Sequence, residues 1–176
     1  MKKAVITVLL VFCIFLPAQS KIITGEVQYS VNNARSEVLN QTPAPFNRET
    51  IRANIYDYNK RENQTALLKG ITDLKDRTLA QFSDGSYGVI YKQNPSEVFY
   101  YGSDGILTHN EKRESLNYPY KSYKYSTGGK LVNMSLRVSE DETFIFEPDG
   151  KLIAHWMGEY CYDENDNIIM KRKILK

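Results

Sequence analysis

Phe144-Ile145-Phe146-Glu147-Pro148-Asp149-Gly150-Lys151-Leu152 decides the fold. Pro148 presets φ at the second position of a four-residue turn, Asp149 suits the third, and Gly150 takes a positive φ without a Cβ clash. This is the signature of a β-hairpin closed by a type I turn and a left-handed residue. Residues flanking such a turn pair in order. Glu147 is therefore expected to face Lys151, Phe146 to face Leu152, Ile145 to face Ile153 and Phe144 to face Ala154.

The stretch recurs without gaps across its turn. The other copies are Phe99-Tyr100-Tyr101-Gly102-Ser103-Asp104-Gly105-Ile106-Leu107, Tyr123-Lys124-Tyr125-Ser126-Thr127-Gly128-Gly129-Lys130-Leu131 and Tyr160-Cys161-Tyr162-Asp163-Glu164-Asn165-Asp166-Asn167-Ile168. Each has two aromatics one residue apart, a polar turn ending in Gly or Asp, one more residue, then Leu or Ile. Asp tolerates the left-handed region better than most residues, so Asp166 keeps the turn. The same arithmetic pairs Tyr101 with Leu107, Tyr125 with Leu131 and Tyr162 with Ile168, giving an apolar stripe along one sheet face. It also places His109 on the stripe opposite Phe99, and His155 on the reverse face. A three-residue loop, Met157-Gly158-Glu159, would set Trp156 opposite Tyr160.

Upstream, Leu79 to Tyr91 around Asp84-Gly85 predicts a fifth hairpin with Gln81 where an aromatic is expected, and Tyr56-Asp57-Tyr58 resembles the start of a sixth. Ile23 to Val31 alternates as a half-buried strand. Residues 32–50, with Thr42-Pro43-Ala44-Pro45, read as loop containing one helical turn over 34–39. The expected fold is all-β, an antiparallel meander of repeated hairpins with about ten to twelve strands. It would form a single twisted sheet or a partly closed barrel, with no long helix after residue 20.

The run from Tyr160 to Ile168 resembles the YD repeat of Rhs-type proteins, Tyr-x-Tyr-Asp followed by two residues, Gly, one residue and Leu. It keeps both tyrosines, Asp163 and the final aliphatic, and departs at Asp166. The other copies keep the ring pair, the Gly and the aliphatic, but carry Gly102, Ser126 and Glu147 in place of the Asp. The resemblance covers residues 99–170, with MORN-like hairpins as a second, poorer match in Gly spacing. It implies a β-repeat scaffold on secreted or surface proteins and brings no catalytic residues.

Residues 1–20 have the pattern of a secretory signal: Lys2 and Lys3, an apolar run from Ala4 to Leu16, then Ala18-Gln19-Ser20 before Lys21. The run is too short to span a bilayer. Of the 176 residues, 156 would remain after cleavage at Ser20, with 21 basic and 21 acidic side chains and a formal charge of zero. Such a balance argues against a nucleic-acid surface or a polybasic membrane patch. One domain is expected over 21–176: a less regular part at 21–78, hairpin repeats at 79–170 and a basic tail at 171–176. Bulky Phe12 before Cys13 argues against lipidation. Cleavage would leave Cys161 as the single cysteine, which excludes an intrachain disulfide and favours a small buried hydrophobe.

Catalytic patterns are missing from the sequence. There is no G-x-S-x-G, no S-x-x-K and no P-loop, and no cofactor motif. Asp163 to Asn167 begins like a calcium loop, but Ile168 and Ile174 stand where the Gly and bidentate Glu belong. His109 and His155, expected on opposite faces, cannot share a metal, and a zinc site from His155 and Cys161 would lack two ligands. Glu140-Asp141-Glu142 reads as a solvated loop. Asn40, Asn63 and Asn133 begin glycosylation sequons, with Asn133 expected inside a strand.

The tyrosine load stands out, 13 residues in all. Four lie between Leu116 and Tyr125, and from this region Tyr118, Tyr120, Lys121, Tyr123 and Lys124 form the candidate binding surface, against the plainer reading of an edge loop entering a strand. Tyrosine has an apolar body and a polar tip, suited to stacking on sugars or packing against a partner. The expectation is a secreted or periplasmic, non-enzymatic β-repeat module that binds a cell-envelope protein or glycan. The alternatives are an immunity or specificity partner of a secreted toxin, and a hydrolase with catalytic residues dispersed on loops.

Overall fold

The computed structural model describes residues 29–171. The expected leader, the strand expected from Ile23 up to residue 28, and residues 172–176 of the expected tail lie outside them. Ten strands form one antiparallel sheet in strict chain order, β1 (Arg77–Gln81), β2 (Tyr87–Tyr91), β3 (Glu97–Tyr101), β4 (Leu107–Arg113), β5 (Tyr120–Ser126), β6 (Leu131–Arg137), β7 (Glu142–Phe146), β8 (Leu152–Met157), β9 (Tyr160–Tyr162) and β10 (Ile168–Lys171). β1 and β10 are not paired with each other, so the sheet is an open meander rather than a barrel.

The expected turn recurs five times. In the Glu147 copy the Gly150 N–H donates to Glu147 O at 2.9 Å and the Glu147 N–H to Lys151 O at 2.8 Å. Matching pairs of bonds close the turns that begin at Phe82, Gly102, Ser126 and Asp163. The turn-ending residue has positive φ in every case, 89° at Gly150 and 60° at Asp166. A side-chain acceptor also caps the backbone N–H just past each turn. Asp84, Asp104 and Asp149 supply it from the third position. Where that position is Gly128 or Asn165, Ser126 Oγ and Asp163 Oδ1 supply it from the first. This is the role of the Asp that follows the second tyrosine in the last copy.

The four flanking pairs also form: Tyr101 with Leu107, Tyr125 with Leu131, Phe146 with Leu152 and Tyr162 with Ile168. One residue further on, every copy slips. Thr108, Val132, Ile153 and Ile169 have no partner in the register, which resumes at Tyr100–His109, Lys124–Asn133, Ile145–Ala154 and Cys161–Met170. A β-bulge sits at the same place in each of these four hairpins, while β1 and β2 pair without one. The bulge reverses parity beyond it, which corrects several expectations. Phe144 faces His155 rather than Ala154, and Ile145 faces Ala154 rather than Ile153. His109 faces Tyr100 rather than Phe99. The two histidines do occupy opposite faces, but with their assignments exchanged. The β8–β9 turn has two residues, Gly158 and Glu159, so Met157 faces Tyr160 and Trp156 faces Cys161.

In the N-terminal part the helical turn expected over 34–39 lies within a longer helix, and residues 48–50, expected as loop, begin a second one. α1 (Val31–Leu39) starts at Ser30, whose Oγ accepts the Asn33 N–H at 3.2 Å, and buries Ala34 and Val38 one turn apart. α2 (Arg48–Ala53) is capped by Asn47, which accepts from Glu49 and Thr50 N–H, with Glu49 favourably placed in the first turn. α3 (Lys60–Leu68) buries Asn63, Ala66 and Leu67. Val31 therefore opens a helix rather than ending a strand. Tyr56 makes only an isolated bridge to Ile106, and no sixth hairpin begins there.

These helices form a strap that runs across one face of the sheet against the order of the strands. Arg35 donates to Gly150 O at 2.8 Å and pairs with Glu164, Phe46 packs at Gly129, and Lys60 packs at Gly105. A Cβ on Gly150 would lie 2.7 Å from Leu39 Cδ1, and one on Gly129 would lie 2.9 Å from Phe46 Cε1. Glycine there serves both the turn and the seat of the strap. Beneath the strap the stripe face holds two apolar clusters. One joins Ala34 and Val38 to Tyr123, Tyr125, Met134, Leu136, Phe144, Phe146 and Leu152. The other joins Ile51, Ala66 and Leu67 to Leu79, Tyr87, Val89, Phe99, Tyr101 and Leu107. Between them β4 turns polar, with buried Asn110 and a Lys112–Glu97 ion pair at 3.5 Å. Phe46 packs against both clusters.

Candidate functional site

Strand alternation divides the five candidate residues. Tyr123 pairs with Met134 and is fully buried in the cluster beneath α1, its hydroxyl donating to Glu114 at 2.9 Å. Lys121 points to the same face, buried, with its ammonium 3.7 Å from both Glu37 and Glu114. These two residues serve the core rather than an accessible surface. Tyr120 and Lys124 lie on the opposite face, and Tyr118, in the loop before β5, stacks on Tyr120 with ring centroids 5.6 Å apart and planes 19° from parallel. Tyr118 is 47% exposed, whereas Tyr120 is buried beneath it.

The register completes this half of the set with two arginines that sequence reasoning missed. Arg137 is the β6 partner of Tyr120, and Arg113 lies beside it on β4, across from Ser122. The Arg137 guanidinium sits 5.8 Å from the Tyr118 ring centre and that of Arg113 6.0 Å from the Tyr120 ring centre. Arg137 donates to the Ser139 and Glu140 carbonyls, and Arg113 Nε is buried with no hydrogen-bond partner. Neither pairs with a carboxylate among the described residues. The donors of Arg137 that Ser139 and Glu140 do not engage remain beside the Tyr118 ring, where a guanidinium can meet an anion.

Further along the same face, Lys124 sits 4.1 Å from the Tyr100 ring centre, and the Tyr100 hydroxyl donates to Glu111 Oε2 at 2.6 Å. Burial, followed by Glu111, pushes the Tyr100 hydroxyl well above the ordinary tyrosine range. Burial holds Lys124 below the ordinary lysine range, against the pull of Glu111. Burial and then Lys124 hold His109 below the ordinary imidazole value. Glu111 is the only carboxylate that the strand registers place on this face among the described residues, against Arg113, Lys124 and Arg137. No described helix packs there: α1 contacts β6, β7 and β8 on the stripe face, and α3 contacts β1.

Other polar groups are committed to the fold. Buried Asp57 accepts from the Tyr87 hydroxyl and Asn63 Nδ2, both at 2.7 Å, and Arg77 Nε donates to Asn63 Oδ1 at 2.6 Å. Arg77 also binds Glu62 and Asp76, so the network ties α3 to β1 and β2. It also buries the Asn63 sequon asparagine, while Asn133 lies inside β6 as expected. His155 Nε2 contacts Glu142 Oε1 at 2.9 Å and stacks on Phe144 at 3.9 Å, so Glu142 begins β7 rather than belonging to a solvated loop. Cys161 pairs with Trp156 and lies on the other face, buried. A shallow concavity of about 560 Å³ beside α3 is lined by Tyr58, Arg61, Glu62, Lys69 and others, without a His or a pair of carboxylates. Among the described residues no group of three or more His, Cys, Asp or Glu gathers as a metal site, and none of the described helices is long and apolar enough to cross a membrane. No family model, curated protein or solved structure matches the chain.

Proposed function

We propose that the protein is a secreted or periplasmic, non-enzymatic β-repeat module that binds a protein or glycan of the cell envelope through the sheet face opposite its helical strap. The observation that carries this reading is the exposed Tyr118 ring, stacked on Tyr120 and flanked by Arg113 and Arg137, with no carboxylate among the described residues paired to either. The strap already covers the stripe face, so a ligand on this second face would leave the core intact. The signal-like pattern of residues 1–20 supports a location outside the cytoplasm, where envelope polymers are available as partners.

Co-sedimentation with insoluble envelope from the source cells tests this function. The wild-type protein is expected in the pellet, and a Tyr118→Ala/Arg137→Gln double variant in the supernatant with an unchanged circular dichroism spectrum. A wild-type protein that stays in the supernatant, or a double variant that pellets equally well, overturns the reading. Mass spectrometry of the secreted protein is expected to find Lys21 at its N-terminus.

A further inference from the structure

We infer that the ligand of this face is an acidic polysaccharide, one whose sugar rings carry carboxylates. The inference rests on the binding reading above and specifies its chemistry. Charge complementarity points to an anion: Arg113, Lys124 and Arg137 share the face with Glu111, and Glu111 is already engaged by the Tyr100 hydroxyl. Arg137 carries the part of that charge beside the exposed Tyr118 ring, whereas Lys124 lies over the Tyr100 ring and burial holds it below the ordinary lysine range.

The geometry then separates the classes of anion. Both edges of β5 are occupied, by β4 over residues 122–126 and by β6 over residues 120–125. Its neighbours β4 and β6 likewise pair on their far sides with β3 and β7. The main chain at the site is therefore saturated, and an extended acidic peptide could not add itself as a strand. Recognition must come from side chains. A half-exposed tyrosine ring offers a flat apolar surface to the C–H face of a pyranose, and a guanidinium beside it offers a fork to a carboxylate on the same sugar. Nucleic acid uses the same two contacts but relies on a strongly basic surface to neutralise a phosphate on every nucleotide. This face has few cations, and the chain remaining after cleavage at Ser20 has no net charge.

Isothermal titration of the full secreted protein with alginate oligomers tests the inference, with neutral dextran, poly-glutamate and a single-stranded oligonucleotide titrated in parallel. Alginate is expected to bind, with affinity falling as salt is added, and dextran is expected not to bind. Arg137→Gln should weaken alginate binding about tenfold or more, the loss of one charge-assisted hydrogen bond. Arg137→Lys, which keeps the charge but not the fork, should fall between the two and shows that the effect is not one of folding. Tyr118→Ala should weaken alginate binding by a similar factor. Absence of alginate binding, equal binding of dextran, or preference for poly-glutamate or the oligonucleotide overturns the inference. If any of these occurs while the wild-type protein still pellets with envelope and the double variant does not, the binding function stands and only its acidic-glycan identity falls.

Discussion

The two faces of the sheet are built from the same repeat and held by different forces. On the stripe face, Tyr123, Phe144 and Phe146 have no exposed surface and pack against Ala34 and Val38 of the strap. Their contribution is apolar burial. On the other face, rings and cations alternate, Tyr118 over Tyr120 beside Arg113 and Arg137, and Lys124 over Tyr100. Such contacts contribute about 0.5–1 kcal/mol each where exposed. The first face makes the fold and the second is the one proposed for recognition, so substitutions should separate stability from binding.

The largest effect is expected from Phe144→Ala, which empties a site walled by Phe146 and His155 and should lower unfolding free energy by about 3–5 kcal/mol in chemical denaturation. A smaller change would mean that the strap collapses onto the gap and the stripe face is less tightly packed than described. Asp57→Ala comes next. It leaves the Tyr87 hydroxyl and the Asn63 amide without their buried acceptor, for about 2–3 kcal/mol by the same measurement.

Gly150→Ala should lower stability by about 1–2 kcal/mol, because alanine at φ 89° is strained and its Cβ meets Leu39. Asp166→Gly, at the equivalent place in the last turn, should instead be neutral or stabilising by about 0.5 kcal/mol. Equal effects at the two positions would remove the special cost of a turn-ending residue packed against Leu39.

On the other face, His109 gives a pH signature. Its imidazole is held below the ordinary 6.5 by burial and then by Lys124, so the unfolded chain takes up the proton more readily than the folded one. The stability owed to the neutral ring is complete above that value and is lost as pH falls below it toward the folded-state value. His109→Gln should flatten the fall in unfolding free energy between about pH 7.5 and 5. An unchanged slope would place the acid sensitivity elsewhere. The smallest effect is reserved for Tyr118→Ala, within about 0.5 kcal/mol of wild type in the same denaturation series, since the ring is half exposed.

The sequence carried the turns because turn chemistry is local: Pro148-Asp149-Gly150 and its counterparts specify backbone angles within four residues. The flanking pairs Tyr101–Leu107, Tyr125–Leu131, Phe146–Leu152 and Tyr162–Ile168 followed directly. The bulge did not, although a trace of it was present. Leu107-Thr108, Leu131-Val132, Leu152-Ile153 and Ile168-Ile169 each place a β-branched residue where strict alternation would want the opposite face, and those four residues are the ones left out of the register. The helical turn expected over 34–39 lies inside α1, but its full length, α2 and α3 were missed because each is short and owes its place to tertiary burial, yet Ser30 and Asn47 were cap residues in plain view. The candidate surface was only half legible. Alternation within β5 alone separates Lys121 and Tyr123 from Tyr120, whereas Arg113 and Arg137 come from other strands and depend on registers that the bulges set.

The strap gives the molecule an order of assembly. Each hairpin joins residues close in sequence, whereas Arg35 must find Gly150 across 115 residues and Tyr125 must find the Ala44 carbonyl across 81. Contacts of such span form late, after local pairing has prepared their targets. Synthesis releases the strap first, and its seats at Gly105, Gly129 and Gly150 come into existence one by one in the reverse of its own direction. Within the strap, α1 is made first and its seat at Gly150 is made last.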